Sequence, residues 1–365
     1  MVQDMTFLKS KLYHRKYLIS NKHNKPKMNS KLNSENIQKL QKALAENPND
    51  INLMNTLAIG YLNNPSLVKD KEDLRLMEKA YATKKTIKST HNLAWFYFLE
   101  CWGSLEKALE IQKECILMQP KSFYPYSLYG YLLLENNQLH EAIENLEIAY
   151  SKHKSREITH NLGTAYAKSG NFDIAKEYLV AVTNDKDIEN RSKHNLAIVK
   201  IQLGEKEDAR KIVKELEQEI NKCDEIDSFE VAYLYYLLND YDSAYSCCQN
   251  CDWNHYALFS WQHIPYLIYI NDIDTYHRLV AGEIDNQENL IKQIKDNHQN
   301  WDDYSEEEKQ EELVELKSEV MRLTNLEKKF ALDKPNININ NYYLLESCGC
   351  LLFGCDEHGN LQDDR

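Results

Sequence analysis

The chain has 365 residues, 42% hydrophobic and 28% charged, with a net charge of −13 at neutral pH. That acidity argues against a nucleic-acid footprint as the main activity, and no run approaches the ~18 apolar residues that a membrane helix needs. Only 10 Gly and 7 Pro stand among long Leu, Ala, Glu, Lys and Gln stretches, which favours helix over sheet.

In chain order, residues 1–35 come first. Residues 1–31 are basic, with Lys9, Lys11, Arg15, Lys16, Lys22, Lys25, Lys27 and Lys31 against a lone Asp4. This composition suits a disordered head, a segment upstream of a start at Met28, an organelle presequence, or a basic arm touching an acidic partner or the protein's own acidic cap. Asn36 to Pro48 then reads as a single helix that caps the next element.

From there a phrase recurs. Residues 90–97 read T-H-N-L-A-W-F-Y, residues 159–166 read T-H-N-L-G-T-A-Y, and residues 193–199 read K-H-N-L-A-I-V. Small residues follow at Ala142, Ala175, Ala209 and Ala244, advancing by 33, 34 and 35. Gly130, Gly163, Ala197 and Ala232 open these copies. Looser copies open at Leu57-Ala58 and Leu93-Ala94, with Pro48 and Pro120 at the closing-proline position. A fixed period of this length marks a stacked architecture of helix pairs. The large residue, the L-G pair, the Tyr three positions on and the later small residue resemble the tetratricopeptide repeat family from about residue 36 to residue 252. The resemblance implies an all-α fold, a right-handed α-α superhelix of about six repeats, and a protein- or peptide-binding scaffold as the function.

After Cys251 the pattern fades. Trp253 to Val280 reads as two helices, and another lies near Asn289–Asn300. Ser305 with Glu308 is a capping box before a helix bearing Leu313, Leu316, Val320 and Leu323. The expected organisation is a head (1–35), a repeat solenoid (36–282), an acidic helical cap (283–334) and a Cys-rich tail (335–365). Stacked repeats need such polar caps.

In the family the first helix of each repeat lines the concave surface. The resemblance therefore places His91-Asn92, His160-Asn161 and His194-Asn195 there. An Asn amide carries a donor and an acceptor, so a ladder of them can hold an extended backbone whatever its sequence. Trp95, Phe98, Tyr124 and Tyr131 are expected beside it as aromatic anchors. Lys88, Glu157 and Arg191 share one equivalent position, but the acid in the middle speaks against the carboxylate clamp known in some family members. The alternative reading of the Asn residues is repeat framework without a ligand.

The tail holds Cys348, Cys350, Cys355 and His358, three thiols and an imidazole within eleven residues. They could complete a zinc site. They could equally sit in a short hairpin docked through Leu351, Leu352 and Phe353, or in a peptide that is modified or occupies the protein's own groove. Cys247, Cys248 and Cys251, with His255 nearby, could be drawn as another site, but Cys248 and Cys251 fall at the large and small core positions of a repeat's second helix and read as core. Nine cysteines without a disulfide-like framework suit a reducing, cytoplasmic setting. No phosphate loop, nucleophile elbow or metal helix is visible, so no enzymatic activity and no cofactor besides the possible zinc are expected. A peptide-sensing receptor with a protein output, and a redox or zinc function of the tail, are the other functional readings.

Overall fold

The computed structural model describes residues 34–64, 67, 71–99, 104–185, 189–220, 222, 226–249, 261, 263–301, 304–346 and 352–354. Among them are seventeen α-helices and no strand. They fall into two compact units. Of the described residues, one contains 34–209 together with the tail from residue 343, the other 210–342.

The first unit is a series of helix pairs. Helix α1 (Ser34–Glu46) precedes α2 (Ile51–Asn63) and α3 (Glu72–Thr83), α4 (Ile87–Leu99) and α5 (Leu105–Leu117), α6 (Tyr124–Glu135) and α7 (Leu139–Lys152), and α8 (Arg156–Lys168) and α9 (Phe172–Val180). Helix α10 (Glu189–Gln202) leads into α11 (Lys206–Glu219). The second unit continues with α12 (Ser228–Leu237), α13 (Tyr241–Cys248), α14 (His263–Asn271), α15 (Ile273–Lys295), α16 (Glu306–Thr324) and α17 (Leu326–Leu332).

Three local devices recur once per pair. The first is the turn. Asn137, Gly170, Gly204 and Asn239 all have positive φ, between 58° and 85°. Gly and Asn are the residues that enter this left-handed region at least cost. After each, the next amide reaches back five residues, as in Gln138 to the Leu133 carbonyl (2.8 Å) and Glu205 to that of Lys200 (2.8 Å). This is the Schellman closure of a helix C-terminus.

The second device is close approach. Ala142, Ala175, Ala209 and Ala244 are fully buried. A Cβ built on Gly130 would lie 2.6 Å from Leu146 Cγ, and one on Gly163 would lie 3.0 Å from Leu179 Cγ. The small residues therefore set the spacing within a pair, as the sequence period implied.

The third device joins one pair to the next. The Tyr at the repeat position donates its hydroxyl to an acid on the preceding helix. Tyr97 bonds Glu78 (2.6 Å), Tyr235 bonds Glu217 (2.7 Å) and Tyr166 bonds Glu147, while Tyr61 accepts from Gln41 (2.7 Å). Burial and the adjacent carboxylate push the Tyr97 and Tyr166 hydroxyls up to about 12, so they remain donors.

In the second unit Asp227 and Glu230 form a capping box at α12, and Ser305 and Glu308 form the expected one at α16. One expectation needs correcting. The helix ending near Val280 and the helix near Asn289–Asn300 are a single 23-residue helix, α15, running across the expected boundary at residues 282–283. Asp272 caps its start, and no proline interrupts it. Buried Tyr276, Leu279, Gln287 and Ile294 recur at helical spacing along it. Gly282 is tolerated because its side faces open space.

After α17 the chain leaves helix at Asp333 and makes one 3-10 turn at Ile339–Asn341. Tyr343 to Glu346 form no helix, and Leu352 and Phe353 are again buried.

Candidate functional site

The site is built by the first helices of the repeats and by the protein's own tail. Asn195, on α10, accepts the Leu344 amide on Oδ1 (2.9 Å) and donates Nδ2 to the Leu344 carbonyl (2.7 Å). Asn161, on α8, treats Glu346 the same way, at 2.9 Å and 2.8 Å. Asn92, on α4, repeats the arrangement on Phe353, at 3.0 Å and 2.9 Å. Each carboxamide thus grips the N–H and the C=O of one residue. An extended chain presents both groups of a residue on the same side, so this two-point grip reads backbone and ignores side chains. It also fixes the amide orientation, because the reversed carboxamide would set donor against donor.

The three residues lie one per repeat, at matching positions, because the repeat period carries them there. The repeat on α6 has Leu128 where those on α4, α8 and α10 have Asn. The residues gripped by Asn195 and Asn161 are two positions apart along the tail, and those gripped by Asn161 and Asn92 are seven apart, where the repeat with Leu128 intervenes. The tail runs against the order of the repeats.

Around this ladder the polar groups are arranged in support. Asn195 Nδ2 also donates to Thr164 Oγ1 (2.8 Å), and Asn92 Nδ2 to Asn55 Oδ1 (3.1 Å). His160 Nε2 lies 2.9 Å from the Leu344 carbonyl. That nitrogen must therefore carry the proton, and Nδ1 accepts from Ser192 Oγ (2.8 Å). Burial lowers the His160 pKa to about 4; the bond to the Leu344 carbonyl opposes this and the charge of Arg191 adds to it. His160 is a neutral donor at physiological pH.

Arg191 lies one helical turn before Asn195. Its guanidinium donates to the Glu346 carboxylate at 2.8 Å, with Arg191 7% and Glu346 8% exposed. At the other end the ring of Phe353 meets His91 edge-on (centroids 5.0 Å apart, 71°) and Tyr124 (5.8 Å, 65°). Phe353 and Leu352 belong to the same core as Ala94, Trp95 and Leu128. Lys88 Nζ lies beside Gly354, where a Cβ would be 3.1 Å away. Burial draws the Lys88 ammonium below the usual lysine range.

The residues expected to contact a ligand therefore divide. Asn92, Asn161, Asn195, His91 and His160 meet the tail. His194 is buried with Nδ1 3.3 Å from Asn195 Oδ1. Trp95 and Tyr131 are buried in helix packing, Trp95 against Phe96 and Tyr131 edge-on to Phe98. In the sequence Arg191 stands only as one of three mixed charges; its place four residues before Asn195, on the same helix face, is the available signal. Cys348, Cys350, Cys355 and His358 lie outside the described residues, as does Cys251. Cys247 and Cys248 are buried. Among the described residues no group of three His, Cys, Asp or Glu is placed to hold a metal, and no helix is long and apolar enough to cross a membrane.

Residues 157–184 match the family model for the tetratricopeptide repeat. This segment is a tetratricopeptide repeat. The matched segment contains α8 and α9, with His160, Asn161, Gly163, Tyr166 and Ala175. Solved structures of other repeat proteins are similar. One, described as YrrB, a TPR protein with an unusual peptide-binding site, is 15% identical with a TM-score of 0.45, covering 57% of this chain and 99% of its own. A tetratricopeptide repeat protein from Parabacteroides merdae is 14% identical with a TM-score of 0.49, covering 73% and 98%. Yeast Tom70 is 12% identical with a TM-score of 0.45, covering 82% and 62%. No curated protein matches the sequence.

Proposed function

We propose that this tetratricopeptide repeat protein is an interaction scaffold that holds an extended peptide segment of a partner on the Asn ladder, in the place its own tail takes here. Repeat proteins of this kind are generally non-enzymatic scaffolds that bind protein partners. The observation that supports the finer reading is the identical two-point grip on Leu344, Glu346 and Phe353 by three residues spaced one per repeat. A ladder that binds only main chain at these points has no chemical reason to accept this tail alone. The partner and the tail compete, so binding is regulated by how firmly the tail is seated.

A fluorescein-labelled peptide of residues 341–354, with Cys348→Ser and Cys350→Ser, tests this by anisotropy on the full chain. Saturable binding that is lost when Asn92, Asn161 and Asn195 are all changed to Ala is the expected result. Equal signals from both chains, each folded by circular dichroism, would overturn it.

A further inference from the structure

The main-chain grips leave open what kind of segment is accepted, and the side chains around them answer it. Arg191 is a cation with little access to water, and its partner in this structure is a carboxylate on the residue whose backbone Asn161 holds. A buried cation stripped of its anion is strongly unfavourable, whereas a neutral partner of the same shape recovers only part of the loss. Any segment that displaces the tail takes over this requirement. It must bring an anion to Arg191, in register with the Asn161 grip.

The flanking positions add to the pattern. Leu345 packs against the apolar cluster of Leu133, Leu134, Leu162 and Ala165, so the residue before the acid meets an apolar surface. Seven residues past the acid, Phe353 fills the space between His91 and Tyr124. The anion is a side chain and not a chain terminus, because the backbone continues past Glu346 with its carbonyl held by Asn161.

We propose that the partner of this groove is an extended segment with an internal apolar-Glu pair, bound against the order of the repeats, whose glutamate is read by Arg191 and whose later aromatic residue enters the His91–Tyr124 pocket. The inference rests on the peptide-holding function proposed above. Arg191 is the specificity-determining residue, and Glu346 of the tail is the internal copy of the signal it reads.

The test compares two probes on the full chain carrying Glu346→Gln, whose own tail has lost its anion. One probe is the labelled 341–354 peptide above; the other is the same peptide with Gln in place of Glu346. The Glu probe is expected to bind this chain about tenfold or more tighter than the Gln probe does, since only it restores the buried pair. It is also expected to bind the wild-type chain more weakly, because the intact tail competes. Should the Glu346→Gln chain fail to fold, an Asn92→Ala chain gives the same Glu-versus-Gln comparison, with the tail loosened at Phe353 and Arg191 untouched. Equal affinity of the two probes overturns the reading by Arg191 and leaves the Asn ladder standing. Binding of neither probe to any of these chains overturns both.

Discussion

The two units hold consecutive stretches of one tail by different chemistry. In the unit up to residue 209, carboxamides grip backbone, and one ion pair reads a side chain. In the unit of residues 210–342 the tail is packed by rings. Tyr342 stacks on Tyr233 with centroids 4.0 Å apart and planes 13° from parallel. Trp261 and His263 border the same ring, and Tyr236 donates its hydroxyl to the Pro335 carbonyl (3.0 Å). At the position of the ladder Asn, the repeat on α12 has Glu230, which is spent on the capping box of its own helix. Backbone grips tolerate exchange of the sequence held. Ring stacking depends on the particular side chain and belongs to the fold. The proposed function therefore keeps the tail anchored at Tyr342 and exchanges it beyond that residue.

The largest effect expected is at the ion pair. Arg191→Met leaves the Glu346 carboxylate buried without its cation and should lower stability by about 3 kcal/mol or more in urea denaturation. Adding Glu346→Gln should recover most of that loss, and a double variant no better than the single would break the pairing.

Next come two of the buried histidines, His160 and His263, one in each unit. His160 is held near 4 and His263 near 3 by burial, against an ordinary 6.5. Both are depressed, so the unfolded chain binds protons first as pH falls. Their contribution is whole above about pH 6.5, declines down to about 4 for His160 and about 3 for His263, and is constant below. Each should remove about 1 kcal/mol per pH unit in its window. Denaturation at pH 7.5, 6 and 5 measures the slope, and His160→Gln should flatten it. An unchanged slope would exclude His160 as a neutral buried donor.

A smaller effect is expected at a single rung. Asn161→Ala removes both bonds to Glu346, at about 1 kcal/mol each. Tyr342→Leu should cost about 1 kcal/mol by losing the stack on Tyr233. It should leave the Asn-held residues in place, whereas loss of all three grips on this change would erase the contrast between the two units.

Much of this arrangement was legible in the sequence because it is local and repeated. The alanines at 142, 175, 209 and 244 and the turn residues at 137, 170, 204 and 239 act within one helix pair, so periodicity exposes them. The Asn of each H-N-L phrase was legible for the same reason. The fate of the tail was less so. Residues 344, 346 and 353 carry no period of their own, and their docking depends on contacts more than 140 residues away in sequence. Self-occupation of the groove was one of several readings that the composition allowed. Trp95 and Tyr131 were expected at the ligand because they stand near the Asn positions. Both are buried in the structure, and Trp95 shares its core cluster with Phe353 of the tail. The continuity of α15 was hidden because polar residues such as Asp285 and Asn286 resemble a break.

The central claim is that Asn92, Asn161 and Asn195 hold three separate backbone amides of the tail. Amide-resolved hydrogen exchange on the full chain measures this directly. The amides of Leu344, Glu346 and Phe353 should exchange slowly, and Asn195→Ala should speed Leu344 while Phe353 stays slow. Fast exchange at all three, or three rates that do not respond to their own Asn, would contradict it.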